Sequence, residues 1–319
     1  MKPYAFGIDV GGTSVKFGLF KEDCLREKWS MPTDPSCGGK NISRDIAASL
    51  KERMALSGVR AEEVAGAGMG VPGVISSRGY LEPCVNLGGW GGAGIEEELK
   101  DLCGFPFVMI NDANAAGLGE LKRGGGKGFE SIYFITLGTG VGGCLIIEGK
   151  VISGSHGCCG EIGHIHIDDS GKRLCGCGKR GCLEQYVSAR ALEENAAEAL
   201  KKTKEPSALR SLENITCRDI FDLAEEGDGL CLKIVDDMAE LFGSVLAGIA
   251  CVCNPEAFVI GGGMSAAGDF LIERLKASFK KYAFSSSERT KILEARLGND
   301  AGIWGGYYLL KASLKISEE

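Results

Sequence analysis

The sequence predicts an α/β protein of two domains, and three observations lead there. The chain has 319 residues, a length that divides into roughly two domains, each able to bury its own core. A unit of strand, glycine turn, strand and then helices occurs twice along it. Forty-nine residues are glycine, about twice the usual share, in a chain that is 44% hydrophobic, so the glycines belong to a packed fold and not to a flexible linker or a collagen-like repeat.

The first unit opens with strand-like runs at Tyr4–Ile8 and Val15–Phe20 around the turn Asp9-Val10-Gly11-Gly12-Thr13-Ser14. Helical periodicity over Ser43–Leu56 and Ile95–Leu102 separates further strands at Val64–Gly70 and Phe105–Ile110. The second unit repeats the hairpin as Ile132–Leu137 and Val141–Ile147. From Gly154 to Gly181 the periodicity is lost in a stretch rich in Gly, His and Cys. Helices follow at about Val187–Lys202, Cys217–Glu226 and Leu230–Val252, then a short strand at Ala257–Ile260, another helix, a strand near Lys291–Ala295 and a last helix over about Ala301–Leu314. The expected domains are residues 1–115 with 301–319, and residues 116–300. Gly88-Gly89, Gly91-Gly92 and Gly124 to Gly126 match no motif and are expected in mobile loops.

Charge and composition exclude several classes of function. The 36 Lys and Arg are scattered, 43 Asp and Glu outnumber them, and the net charge is -7, which argues against nucleic acid as a partner. The first residues lack the pattern of a signal peptide, and the longest apolar run, Leu241 to Cys253, is too short to span a bilayer. The expectation is a soluble, cytoplasmic protein with no membrane partner. Fourteen cysteines then read as reduced, buried small hydrophobes, the vicinal pair Cys158-Cys159 among them. Cys175, Cys177 and Cys182 are too closely spaced for that reading.

Four motifs carry chemistry. In Asp9 to Lys16, bare glycine backbone at Gly11 and Gly12 lets N–H groups approach phosphate oxygens, Thr13 adds a hydroxyl, and Asp9 suits a Mg²⁺ ion held through water. A second turn, Thr136 to Gly143, contains G-x-G-x-x-G but runs on into a strand, so it is not a dinucleotide fingerprint, and no Walker A loop is present. Asp112 follows a strand in Ile110-Asn111-Asp112, where it serves either as a helix N-cap or as a general base for an alcohol. Cys175-Gly176-Cys177 and Cys182 with a nearby His fit a closed, structural Cys₃His zinc site, the His being His164, His166 or His156.

Together these motifs, with Glu161-Ile162-Gly163-His164 ahead of the cysteines, resemble the ROK family (repressor, open reading frame, kinase), and most closely its glucokinase-like members. The resemblance covers nearly the whole chain. It implies a two-domain actin-like, hexokinase-like (ribonuclease H-like) fold with a cleft between domains, and phosphoryl transfer from ATP to a hexose 6-hydroxyl, glucose first, with N-acetylmannosamine, N-acetylglucosamine, fructose, mannose or allose as alternatives. By the same resemblance Asp112 is the catalytic base, and Asn86, Asn111, Glu161, His164 and Glu184 contact sugar hydroxyls. Asp9, Gly11, Gly12, Thr13 and Lys16 match one phosphate turn, and Gly138, Thr139 and Gly140 match the other. Gly261, Gly262 and Gly263 match the adenosine contact, and His164, Cys175, Cys177 and Cys182 match the zinc ligands, so that His164 meets metal and sugar through different ring nitrogens. The implied cofactors are ATP, Mg²⁺ and structural Zn²⁺, and the implied assembly is a homodimer or tetramer. Where such members usually carry Ala before Gly-Glu, this chain has Cys159. The family also contains repressors with an added N-terminal helix-turn-helix; with the first strand at Tyr4 and an acidic chain, that class is not expected.

Overall fold

The computed structural model describes residues 2–76 and 79–316. Along the chain run β1 (Tyr4–Val10), β2 (Ser14–Lys21), β3 (Cys24–Pro32), α1 (Ile42–Leu56), β4 (Val64–Val71), β5 (Leu81–Cys84), β6 (Trp90–Gly92), α2 (Ile95–Cys103), β7 (Phe107–Asn111) and α3 (Asp112–Arg123). There follow β8 (Ile132–Leu137), β9 (Val141–Ile147), β10 (Lys150–Val151), α4 (Glu184–Val187), α5 (Ala189–Lys202), α6 (Cys217–Glu225), α7 (Gly229–Cys253), β11 (Ala257–Gly261), α8 (Gly268–Tyr282), β12 (Lys291–Glu294) and α9 (Ala301–Ile316).

Two compact units result. One is built from the chain up to Gly128 together with 151–159 and the segment from Asn299 on; the other from Phe129–Lys150 and Gly160–Gly298. A first boundary at 115, as expected from the sequence, would fall inside α3. The structure keeps the whole of α3 with the first unit, because α3 packs along α9. The 151–159 segment joins that unit too, with Gly157 so close to Ile75 that a Cβ would lie 2.4 Å from its carbonyl oxygen.

The first sheet has the order β3-β2-β1-β4-β7, the β1, β2 and β3 pairs antiparallel and the β1–β4 and β4–β7 pairs parallel. The second has the order β10-β9-β8-β11-β12, with β8–β9 antiparallel and β8–β11 and β11–β12 parallel. The repeated hairpin is thus the start of two sheets of like order. β3 has no counterpart among the strands expected from the sequence, because it alternates half-exposed and exposed positions with charged side chains at the sheet edge and gives no apolar run.

The alternation of β1 and β4 decides where the site residues point. Phe6, Ile8 and Val10 join Ala67, Met69 and Val71 in a core shared with Ile42, Ile46 and Leu50 of α1. The opposite face carries Gly7 and Asp9 from β1 and Gly66, Gly68 and Gly70 from β4, and on it lie α9 and α3. Backbone meets backbone there: a Cβ on Gly68 would sit 1.8 Å from the Gly306 oxygen, and one on Gly305 would sit 1.7 Å from the Ala115 oxygen. This is the use of glycine that the turn motifs did not account for. Gly88 and Gly91 are packed against backbone at Pro35 and Leu81, and Gly124 closes α3 over the buried Glu120 carboxylate, which accepts the Gly125 N–H at 2.7 Å. Tight packing explains Gly88, Gly91 and Gly124, whereas Gly89 and Gly92 face open space and serve the backbone through their positive φ of +97° and +124°.

Among the described residues no helix is long and apolar enough to cross a membrane. In the second unit α7 packs on α8, α6 and α5, β11 is fully buried, and Ser188 splits the expected helix Val187–Lys202 by capping α5 at Ala191 N–H.

Candidate active site

In the first unit the β1–β2 hairpin presents Gly11, Gly12 and Thr13. Gly11 N–H donates to Ser14 O at 3.0 Å, and the end of β3 holds the turn from outside: Thr33 N–H donates to Thr13 O at 3.1 Å and its hydroxyl to Gly11 O at 2.7 Å. Thr33 carried no sequence signal. Asp9 and Lys16 are register partners, and the Lys16 Nζ donates to Asp9 Oδ2 at 3.1 Å. Asp9 also backs onto the first turn of α9, where a Cβ on Gly302 would lie 2.6 Å from the carboxyl carbon, a position that suits a carboxylate at a helix N-terminus. Asn86 is exposed and lies beside the turn, its Cβ 3.6 Å from where a Gly12 side chain would begin.

At the corner from β7 into α3, Asp112 is not the helix N-cap. Asn111 is the N-cap: its Oδ1 accepts Asn114 N–H at 3.1 Å while its Nδ2 donates to Gly73 O at 3.1 Å. Asp112 is therefore the first helical residue, half-buried, with Oδ1 accepting the Ala113 N–H at 2.8 Å.

In the second unit the β8–β9 turn is braced by Gly138 N–H donating to Gly140 O at 3.0 Å and by Gly142 N–H donating to the Thr136 hydroxyl at 3.2 Å. Gly138 and Thr139 line a cavity of about 560 Å³ together with Gly263 and Met264, Phe221 of α6 and Ala189 of α5. That volume suits a drug-sized ligand. Gly262 supplies the bend behind it at φ +86°, with Leu137 O only 2.3 Å from any added Cβ. The two glycine turns that the sequence separates by more than a hundred residues thus meet at one cavity. The α6 wall, with Arg218 and Asp222, carries no motif because it lies in an ordinary amphipathic helix.

Glu184 stands between this turn and the cysteine-rich loop, its Oε2 accepting Val141 N–H at 2.9 Å and its Oε1 4.0 Å from Cys175 Sγ. Glu161 keeps an exposed edge, yet desolvation and the negative charge of Glu184 push its carboxyl above the ordinary range, against the pull of His164. The nitrogen and sulfur donors of His164, Cys175, Cys177 and Cys182 all lie within 4.8 Å of one another. His164 Nδ1 stands 3.6 Å from Cys175 Sγ, and Cys177 Sγ stands 3.7 Å from Cys182 Sγ. Tetrahedral zinc with ordinary bond lengths would space such donors at about 3.5 Å for N···S and about 3.8 Å for S···S, so the four fit that ion. Cys175 N–H to Lys179 O at 2.8 Å and Gly178 N–H to Cys175 O at 2.9 Å form the knuckle. The Lys179 N–H lowers the Cys177 thiol, favouring the ligating thiolate.

Of the three histidines, His166 is engaged elsewhere, at 3.0 Å from Arg180 O and 2.9 Å from Asp169, and His156 belongs to the 151–159 segment of the first unit. His164 is the one the fold brings to the cysteines. The vicinal pair is not buried packing: Cys158 is exposed and Cys159 only half-buried, because the glycine-rich loop carrying them offers no core to enter. Cys24, Cys37 and Cys251 are exposed as well.

Comparison with known proteins covers almost the whole chain. The ROK family profile matches residues 5–313. The chain is 37% identical to a glucokinase of Halalkalibacterium halodurans over 96% of its own length and 94% of that protein's. The structure of a ROK family glucokinase from Streptomyces griseus in complex with glucose and AMPPNP superposes with a TM-score of 0.78 at 32% identity, covering 97% of this chain and 99% of that one. A ROK hexokinase from Thermus thermophilus superposes at 0.81 and 32%, covering 99% and 100%. A match of this extent, across both units, places the chain in the ROK family.

Proposed function

We propose that this chain transfers the γ-phosphoryl group of ATP to the 6-hydroxyl of a hexose, glucose being the preferred acceptor. The observation that carries the reading is the single cavity lined by both glycine turns, Gly138-Thr139 and Gly263-Met264, which is shaped for a nucleoside beside its phosphates. The glucokinase relative and the glucose- and AMPPNP-bound neighbour support it.

Asp112 then takes the proton from the attacking hydroxyl. Its carboxylate suits that role because Asn111, and not Asp112, caps α3. Asn86, Asn111, Glu161, His164 and Glu184 pair with sugar hydroxyls, and such pairing discriminates by leaving polar groups empty when a hydroxyl is absent. Backbone N–H groups at Gly11, Gly12, Gly138 and Gly140, with Thr13, Thr139 and Lys16, hold phosphate oxygens, and Gly261, Gly262 and Gly263 let the nucleoside lie close. Bound Mg²⁺ supplies neutralisation of the β- and γ-phosphate charge, with Asp9 the carboxylate to hold it. The Cys₃His site holds zinc and fixes the loop that bears Glu161 and Glu184.

The protein acts in the cytoplasm, in keeping with fourteen free cysteines. It pairs as a homodimer through the apolar groove of Ile165, Val245, Ile249 and Val252, the last 85% exposed. A coupled ADP-release screen with Mg·ATP across glucose, mannose, fructose, allose, N-acetylglucosamine and N-acetylmannosamine tests the reading. Glucose should give the highest kcat/KM, and ADP release at background for every sugar would refute it.

A further inference from the structure

The corner that carries Asp112 is held by a thiol that no motif singles out. Cys84 ends β5 and is 6% exposed. Its Sγ donates to the Pro72 carbonyl at 2.6 Å and leans toward Glu82 O at 3.4 Å. Pro72 and Gly73 form the bend that leaves β4, with Gly73 at φ +105° and its missing side chain only 3.1 Å from Cys84 Sγ. The Gly73 carbonyl in turn accepts Asn111 Nδ2 at 3.1 Å, while the other end of the same amide caps α3 through Asn114 N–H. The Asn111 side chain is therefore clamped between α3 and a bend whose own carbonyl is tied to the thiol. Val71 and Asn111 are also register partners in β4 and β7, so a rotation of the bend is delivered where β7 ends. Burial pushes the Cys84 thiol up to about 11, with the charge of Asp112 adding to it, so it stays an S–H donor at neutral pH and lies within electrostatic reach of the carboxylate.

We infer that Cys84 is a positioning residue for the Asn111–Asp112 corner, acting through the Pro72–Gly73 bend. The inference builds on the kinase reading for its effect on turnover, but the clamp itself is measurable without activity.

The test compares the wild type with Cys84→Ala, Cys84→Val and Cys84→Ser. Valine fills the volume without a donor, so it separates packing from the hydrogen bond, and serine restores a donor. Amide exchange at Asn114, followed by mass spectrometry or NMR at a temperature where all variants are folded, should speed up about 10-fold in the Ala and Val variants and return toward wild type in the Ser variant. In steady-state kinetics kcat should fall about 10-fold in Ala and Val, with KM for ATP unchanged and partial rescue by Ser. Unchanged exchange at Asn114 in both Ala and Val overturns the inference, whether or not the protein turns over a sugar. Faster exchange with unchanged kcat overturns the catalytic half. Absence of ADP release from the wild type refutes the kinase reading instead and leaves the exchange measurement to decide on the clamp. If alanine alone fails to fold, the Val and Ser pair decides between the same outcomes.

Discussion

Replacing Gly68 by alanine drives a methyl group into the place where β4 and α9 touch backbone to backbone. The new Cβ would stand 1.8 Å from Gly306 O and 2.7 Å from its carbonyl carbon, where ordinary contact begins at 3.4 Å, so α9 must retreat by about 1.6 Å. It cannot do so freely. On its other side Gly305 is seated against the Ala115 carbonyl of α3, and the first turn of α9 lies against Asp9. The atoms that the new Cβ meets, Gly306 O and C and Leu310 N, are all backbone and not flexible side-chain ends, so the penalty falls at or above the ~3 kcal/mol upper end of overpacking. At about 2–4 °C per kcal/mol for a unit of this size, the first unit should melt about 6–12 °C lower. Circular dichroism melts of Gly68→Ala beside Gly229→Ala make the assay. Gly229 opens α7 with no atom within 4 Å of an added Cβ and no positive φ, so that control should gain between zero and ~1 kcal/mol. A Gly68→Ala melt within about 2 °C of wild type would show that the glycine stripe is not what lets α9 lie down on the sheet.

Purified protein that has met no chelator should contain about one zinc per chain by metal analysis, and Cys177→Ser should fall well below that; a zinc-free, fully active wild type would refute the site. Gly262→Ala places a side chain at a left-handed φ and 2.3 Å from Leu137 O, so KM for ATP should rise about 10-fold or more while calorimetric glucose affinity holds; an unchanged KM would remove this turn from the nucleotide site. Asp23, in the β2–β3 turn, accepts from Lys311 and Tyr307 of α9, and these bonds hold its carboxyl below the ordinary range. A depressed carboxylate stabilises above its unfolded pKa and loses that contribution as pH falls through the folded value. Asp23→Asn should therefore cost about 0.5 kcal/mol at pH 7, the pair being solvent-screened, and nothing near pH 2; urea titrations giving equal losses at both values would contradict this.

Strands with unbroken apolar runs were legible to the residue: β8 and β9 lie at the positions read from periodicity. The edge strand β3 was not, since Cys24–Pro32 alternates with charge and its only strong cue, Trp29, is accounted for by stacking on Phe17 at 5.1 Å. Glycine was half legible. A run such as Gly138 to Gly143 declares a turn, whereas Gly66 and Gly68 read as strand filler until α9, far away in sequence, is laid on them, and Gly70 until α3 is. The same limit governs the site. The spacing of Cys175, Cys177 and Cys182 predicted a metal centre, but the choice of His164 over His166 depends on which ring the fold turns toward the cysteines. Asn111 caps α3 through a bond three residues on, a cue that an Asn before a helix does offer, whereas Thr33 behind the Gly11-Gly12 turn and Phe221 in the cavity wall are facts of tertiary placement with no local signature.

The central claim is that Asp112 is the base of a sugar kinase, and Asp112→Asn tests it most directly, since the amide keeps the shape and removes the proton acceptor. With Mg·ATP and glucose, coupled ADP release should show kcat lowered by about 10²–10⁴-fold while glucose binding by calorimetry stays within a few-fold of wild type. Wild-type turnover in the Asn variant would contradict the account.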